Sequence, residues 1–143
     1  MMRHICSAVE LYSPRRLVVK GIGMNAHIML CTAVVLFAIA AVGGLVMAAV
    51  RVFGARNPPA WLALLHGLLA GAGLTLLLFA AFSAGVPTLA VWALVLLLIA
   101  AAGGLLMNLG YAWNQQLLPK PLMYGHGLIA VVGFILLIIG TVG

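Results

Sequence analysis

Four apolar stretches dominate the sequence, and each is long enough to cross a lipid bilayer as a helix. They cover residues 28–52, 61–82, 88–111 and 122–142, and a helix needs about 20 apolar residues to span the hydrocarbon core. Strands fit poorly, because the apolar residues run continuously and do not alternate with polar ones. Only 6% of the 143 residues are charged, too few to cover a soluble domain of this size. The sequence therefore predicts an all-α integral membrane protein with a bundle of four transmembrane helices.

The second half of the sequence repeats the first half at a fixed distance of 60 residues. Aligned without a gap, residues 30–83 and 90–143 are identical at 19 of 54 positions. Shared leucine and alanine content does not place glycine, proline and histidine in one register. The sequence thus predicts two tandem two-helix repeats, 28–83 and 88–143, related by a pseudo-two-fold axis along the membrane normal. The matched positions include Gly43-Gly44 with Gly103-Gly104, Pro59 with Pro119, and His66-Gly67-Leu68 with His126-Gly127-Leu128.

Residues 1–27 form a basic segment that differs from everything after it. The segment contains Glu10, which is the only acidic residue of the chain, and four of its seven basic residues. Residues 14–20 loosely resemble a twin-arginine export signal, although the following apolar run is too long and no small-residue cleavage site follows. Two other interpretations remain: a basic segment beside the membrane, or an artefact of the gene start if the natural chain begins at Met24.

The net charge of +6 indicates contact with the membrane surface rather than binding to nucleic acid. Every basic residue lies in the first segment or at a helix end, where anionic lipid headgroups are the natural partners. We expect the other partners to be transmembrane helices of other proteins or a second copy of the chain, in a bacterial inner membrane. The positive-inside rule does not settle the orientation, because four basic residues on the terminal side oppose three near the loops. A start at Met24 would change this balance to zero against three.

The lack of acidic residues after Glu10 limits the chemistry open to the chain. Carboxylate acid–base pairs, Mg²⁺-dependent phosphoryl transfer and Ser-His-Asp triads all need acids that are missing here. We therefore expect no autonomous catalytic site, and an accessory or structural role in a membrane complex. An exposed stripe of glycine and alanine on one helix would favour this role.

Two histidines within the apolar stretches suggest a different function. The 60-residue register places His66 and His126 at the same depth, and Gly73 and Gly133 lie two turns further along the same helix faces. This layout resembles that of small four-helix b-type membrane cytochromes. The resemblance implies a haem b iron held by both imidazoles, with the small residues admitting the flat macrocycle. A central cleft with converging imidazoles would favour electron transfer.

Other interpretations of the polar residues stay open. Each histidine could instead bond a neighbouring carbonyl and help to pack the bundle. A copper(I) site within residues 24–31 requires His27, Met29 and Cys31 to converge, which alternating positions on a helix do not predict. Two histidines lack the further ligands of a zinc site, and Cys6 and Cys31 are expected to be independent thiols. A quinone or lipid site would draw on Asn108, Tyr111, Trp113, Asn114, Gln115, Gln116 and Tyr124.

Overall fold

A computed structural model describes residues 26–143, and within that range the chain forms four long helices. Their lengths and composition suit a membrane span in all four cases. The prediction of an all-helical chain with four membrane-length helices is thereby confirmed for these residues. The interpretations of residues 1–25, including the export signal and the start at Met24, lie outside the described range. The helices are α1, Ala26–Phe53; α2, Ala60–Ser83; α3, Thr88–Met107; and α4, Lys120–Val142.

Prolines set the starts of three helices. Pro59, Pro87 and Pro119 each directly precede the first residue of α2, α3 or α4. Helix α4 begins two residues earlier than the apolar pattern predicts, since Pro121 is tolerated in the first turn, where its missing N–H needs no partner. The regular part of α3 ends earlier than predicted, and a π-helical turn, Asn108–Ala112, extends it.

The helices pack as two hairpins that close on each other at one end. α1 packs along α2 and α3 along α4, and smaller contacts join α1 to α4 and α2 to α3. The core lies at the end that holds the first residues of α1 and α3 and the last residues of α2 and α4. Several of the core side chains are small, which allows the helix backbones to approach closely. Its buried members are Leu30, Ala33, Phe37, Leu77, Ala90, Ala93, Leu94, Leu97 and Leu137.

Outside this core, the helices present large apolar side chains outward. Leu45 on α1, Leu68 on α2, Leu105 on α3 and Leu128 on α4 are each more than half exposed. Such an apolar exterior is unfavourable in water and matches a lipid environment. These surfaces and the helix lengths together indicate a small membrane protein.

Several details of the structure recur at positions 60 residues apart. The buried residues of α2 are Gly73, Leu77 and Ala80, and those of α4 are Gly133, Leu137 and Gly140. In the loops that follow α1 and the π-helical turn, Ala55 and Gln115 adopt the left-handed conformation, with φ of 50° and 58°. These pairs share the register found in the sequence.

Candidate functional site

His66 and His126 lie in the second turn of α2 and α4, on the faces that meet the neighbouring helix of the same hairpin. Nδ1 of His66 is 2.8 Å from the carbonyl oxygen of Ala40, and Nδ1 of His126 is 2.8 Å from that of Ala100. Because a carbonyl oxygen only accepts, Nδ1 must be the protonated nitrogen in both rings. In the neutral imidazole, Nε2 then carries an unshared electron pair.

Glycine pairs on α1 and α3 make room for the two rings. A Cβ atom on Gly44 would lie 3.2 Å from Cε1 of His66, and one on Gly104 would lie 3.2 Å from Cε1 of His126. Any larger residue would press on the ring and weaken its bond to the carbonyl. The Gly-Gly pairs therefore explain how each imidazole reaches a backbone carbonyl on the neighbouring helix, one turn before the glycines.

The two imidazoles lie close to each other, edge to face, where the hairpins meet. Their ring centroids are 6.3 Å apart, and the ring planes are inclined by 69°. Within residues 26–143, no hydrogen bond reaches Nε2 of either ring. No buried side-chain nitrogen or oxygen in that range lacks a partner, so neither Nε2 atom is fully buried. The structure thus brings two imidazoles close together in a region that is otherwise apolar.

A groove between α3 and α4 leads to one of the rings. Its volume is about 420 Å³. Its walls are almost entirely apolar, and His126 contributes the ionisable group. The lining includes Gly103, Leu106, Pro121, Gly125, His126 and Ile129.

Gly73 and Gly133, predicted to admit a flat cofactor, are in contact with large side chains. A Cβ atom on Gly73 would lie 3.0 Å from the ring of Phe37, and one on Gly133 would lie 3.1 Å from Leu97. Both facing side chains belong to the buried core. In this structure, the two glycines serve close packing on the core side of the imidazoles.

A group of hydrogen bonds on the other side of the imidazoles joins the end of α1 and the α1–α2 loop to the α3–α4 loop. Asn57 donates from Nδ2 to the carbonyl of Gln116 at 2.7 Å, and its Oδ1 accepts from the N–H of Leu118 at 3.0 Å. Arg51, only 9% exposed, donates from Nε to the carbonyl of Leu118 at 2.9 Å. We call these four residues the loop clasp. Arg51 is therefore engaged with backbone, unlike the exposed Arg56 and Lys120.

Sequence reasoning missed the loop clasp and one contact on α1, although His27, Met29 and Cys31 do not converge, as expected. His27 and Cys31, one turn apart, have their Nδ1 and Sγ atoms 3.6 Å from each other, whereas Met29 is turned into the protein and is 4% exposed. The spacing of four residues between His27 and Cys31 was the available signal. The polar residues suggested for a quinone lie near the end of α3 and the start of α4, and most are exposed.

No protein-family model, curated protein sequence or solved structure matches this chain. The class of protein therefore follows from the structure alone: a small membrane protein of four apolar helices.

Proposed function

We propose that the protein is an accessory component of a membrane complex, which it joins through one face of α2. The observation that carries this proposal is a stripe of small residues on the outside of that helix. Gly67 and Gly71 have no atom within 4 Å of where a Cβ would lie. Thr75 continues the stripe one turn later and donates its hydroxyl to the carbonyl of Gly71. Small residues four apart let transmembrane helices approach closely.

The rest of the molecule supports a docking role for this stripe. The glycines at positions 43, 44, 73, 103, 104, 133 and 140 already contact side chains or backbone within the chain. The corresponding positions on α4 are Gly127 and Val131, so the second hairpin lacks the complete stripe. The partner is a transmembrane helix of another protein or of a second copy. The exposed Arg56 and Lys120 would meet anionic headgroups, in a membrane that we take to be the bacterial inner membrane.

Photocrosslinking in native membranes tests this role. A photoreactive amino acid at Leu68, beside the stripe, should give a discrete crosslinked product, and the double variant Gly67→Leu/Gly71→Leu should abolish it. The mass of the product separates a second copy from another protein. The matched control places the photoreactive residue at Leu128 of α4. Equal crosslinking from both positions, or a product that survives the double variant, would show that the stripe is not a docking face.

Electron transfer through a b-type haem held by His66 and His126 is the second candidate. The neighbouring imidazoles, each oriented by a bond from Nδ1 to a carbonyl, favour it, since this orientation leaves Nε2 for the iron. When bound, haem would supply a one-electron iron couple. The packing on the core side of the imidazoles argues against bound haem. Phe37 and Leu97 would have to move away from Gly73 and Gly133 to admit a macrocycle.

An absorption spectrum of protein purified from haem-replete cells tests this second candidate. A reduced Soret band that disappears in His66→Asn or His126→Asn protein would support it. A colourless and folded preparation would eliminate it.

A further inference from the structure

We propose that the groove between α3 and α4 binds one anionic phospholipid, with an acyl chain along the groove and the phosphate at Lys120. The shape of the groove is the first observation. On α4 its lining residues recur every four positions, as Pro121, Gly125 and Ile129, so they form one stripe along the helix. The stripe is about 12 Å long, which is most of one leaflet of a hydrocarbon core about 30 Å thick. The groove thus runs in the direction in which lipid chains lie.

The lining of the groove offers apolar contact to a hydrocarbon chain. Its walls are almost entirely apolar, and the ionisable side chain among them, His126, already donates from Nδ1 to the carbonyl of Ala100. No atom lies within 4 Å of where a Cβ on Gly125 would be, so the groove is open at that position. An acyl chain therefore suits this part of the site better than a polar headgroup does.

Positive charge lies at the loop end of the groove. Lys120 is the first residue of α4, directly before the lining, and it is exposed. Residues 26–143 include no aspartate or glutamate, so their side chains offer this ammonium group no counterion. The loop clasp bonds Asn57, the residue after the exposed Arg56, to the N–H of Leu118 on the same side of the membrane. A lipid phosphate at the membrane surface would supply the negative charge that this end lacks.

The first hairpin differs from the second at the positions that form this site, which is an independent observation. In the 60-residue register, Lys120 corresponds to Ala60, so the first hairpin lacks the cation. Three residues of the lining are smaller than their counterparts in the first hairpin, whereas Leu106 is slightly larger than Val46. The three pairs are Ala102 with Val42, Pro121 with Trp61, and Gly125 with Leu65. The second hairpin thus combines a wider groove with a positive charge at its end, and a lipid site needs both.

Native mass spectrometry of the full chain tests the site. The protein is delipidated in a neutral detergent and mixed with equal amounts of phosphatidylglycerol and phosphatidylethanolamine that carry the same acyl chains. We expect one phosphatidylglycerol retained per chain, and several-fold less phosphatidylethanolamine. Lys120→Gln should weaken the retention of phosphatidylglycerol by about fivefold and remove the preference, since one basic residue near the surface contributes about 1 kcal/mol to the binding of anionic lipid.

The groove needs its own variant, and the first hairpin supplies the substitution. Gly125→Leu places in the groove the residue found at position 65, and both lipids should be lost from this variant. Its Cβ meets no neighbouring atom, and leucine favours helix more than glycine does, so we expect the variant to fold. Gly127→Leu is the matched control, because it makes the same change at another open position of α4 outside the lining. Circular dichroism and gel filtration check that each variant is folded.

Three results would overturn the site. Equal retention of the two lipids by the wild type would contradict recognition of the phosphate charge at Lys120. Equal retention of phosphatidylglycerol in Gly125→Leu and Gly127→Leu protein would place the lipid elsewhere. A lipid-free dimer that Gly125→Leu abolishes would show that the groove accepts a helix of a second copy instead. None of these results bears on the α2 docking face, whose crosslinking test is independent.

Discussion

Each imidazole is fixed by one hydrogen bond to a helix backbone, so the contribution of that bond can be isolated by substitution. We expect His126→Leu to lower the free energy of unfolding by about 0.6–1.7 kcal/mol, from the average to the largest value found for hydrogen bonds between transmembrane helices. His126→Asn should lose less, because its amide can still donate to the carbonyl of Ala100. Unfolding in mixed detergent micelles gives both values, and equal losses in the two variants would contradict the assigned bond.

The two histidines could be identified from sequence, whereas their surroundings could not. An ionisable residue in an apolar span is conspicuous, and the 60-residue register pairs His66 with His126. The role of Gly73 depends on Phe37, a residue of another helix with no special signature in the sequence. Asn57 was missed for a similar reason, because its partners are backbone atoms of a loop about 60 residues away.

Close approach of helices at the core end depends on glycines that could not carry a side chain. A Cβ atom on Gly140 of α4 would lie 3.0 Å from the backbone nitrogen of Ala90 on α3. Backbone cannot move aside as a flexible side chain can, so Gly140→Ala should destabilise the protein by about 1–3 kcal/mol.

Gly127→Ala provides the control on the same helix, since no atom lies within 4 Å of its Cβ position. We expect its stability to equal or exceed that of the wild type, because alanine favours helix more than glycine does. Thermal unfolding monitored by circular dichroism compares the two variants. Equal stability of both would show that α3 and α4 are not in close contact at Gly140.

The helices themselves were predictable because apolar length alone decides whether a segment can span a bilayer. The π-helical turn, Asn108–Ala112, was not, since apolar pattern does not distinguish an α-turn from a π-turn. The apolar pattern also predicted that α4 starts after Lys120 and Pro121, because it does not count these two residues as part of the apolar span. Both residues belong to the first turn of α4.

The loop clasp joins the hairpins at the end opposite the core, and its removal should separate the loops. Asn57→Ala removes two hydrogen bonds and leaves the N–H of Leu118 without its partner. We expect a loss of about 1–3 kcal/mol and faster amide exchange at Leu118. Asn114→Ala is the matched control, because its side chain bonds only to carbonyls within its own segment. Unchanged exchange at Leu118 in the Asn57 variant would indicate that the clasp does not form.

At the scale of the whole molecule, sequential antiparallel helices place the α1–α2 loop and the α3–α4 loop on one side of the membrane. After Cys6 and Cys31 are replaced, single cysteines at Ala60 and Gln116 should react with an impermeant maleimide from the same side. A cysteine at Ala84, between α2 and α3, should react only from the opposite side. Labelling of the first two positions from different sides would contradict the four-span arrangement.

The loop clasp also distinguishes the two hairpins from each other. The positions 60 residues after Arg51 and Asn57 are occupied by Tyr111 and Leu117, which cannot reproduce the same bonds. The first hairpin supplies the side chains of Arg51 and Asn57, and the second supplies their backbone partners at Gln116 and Leu118 on the same chain. The departure from repetition thus makes the junction between the two otherwise repeated hairpins asymmetric.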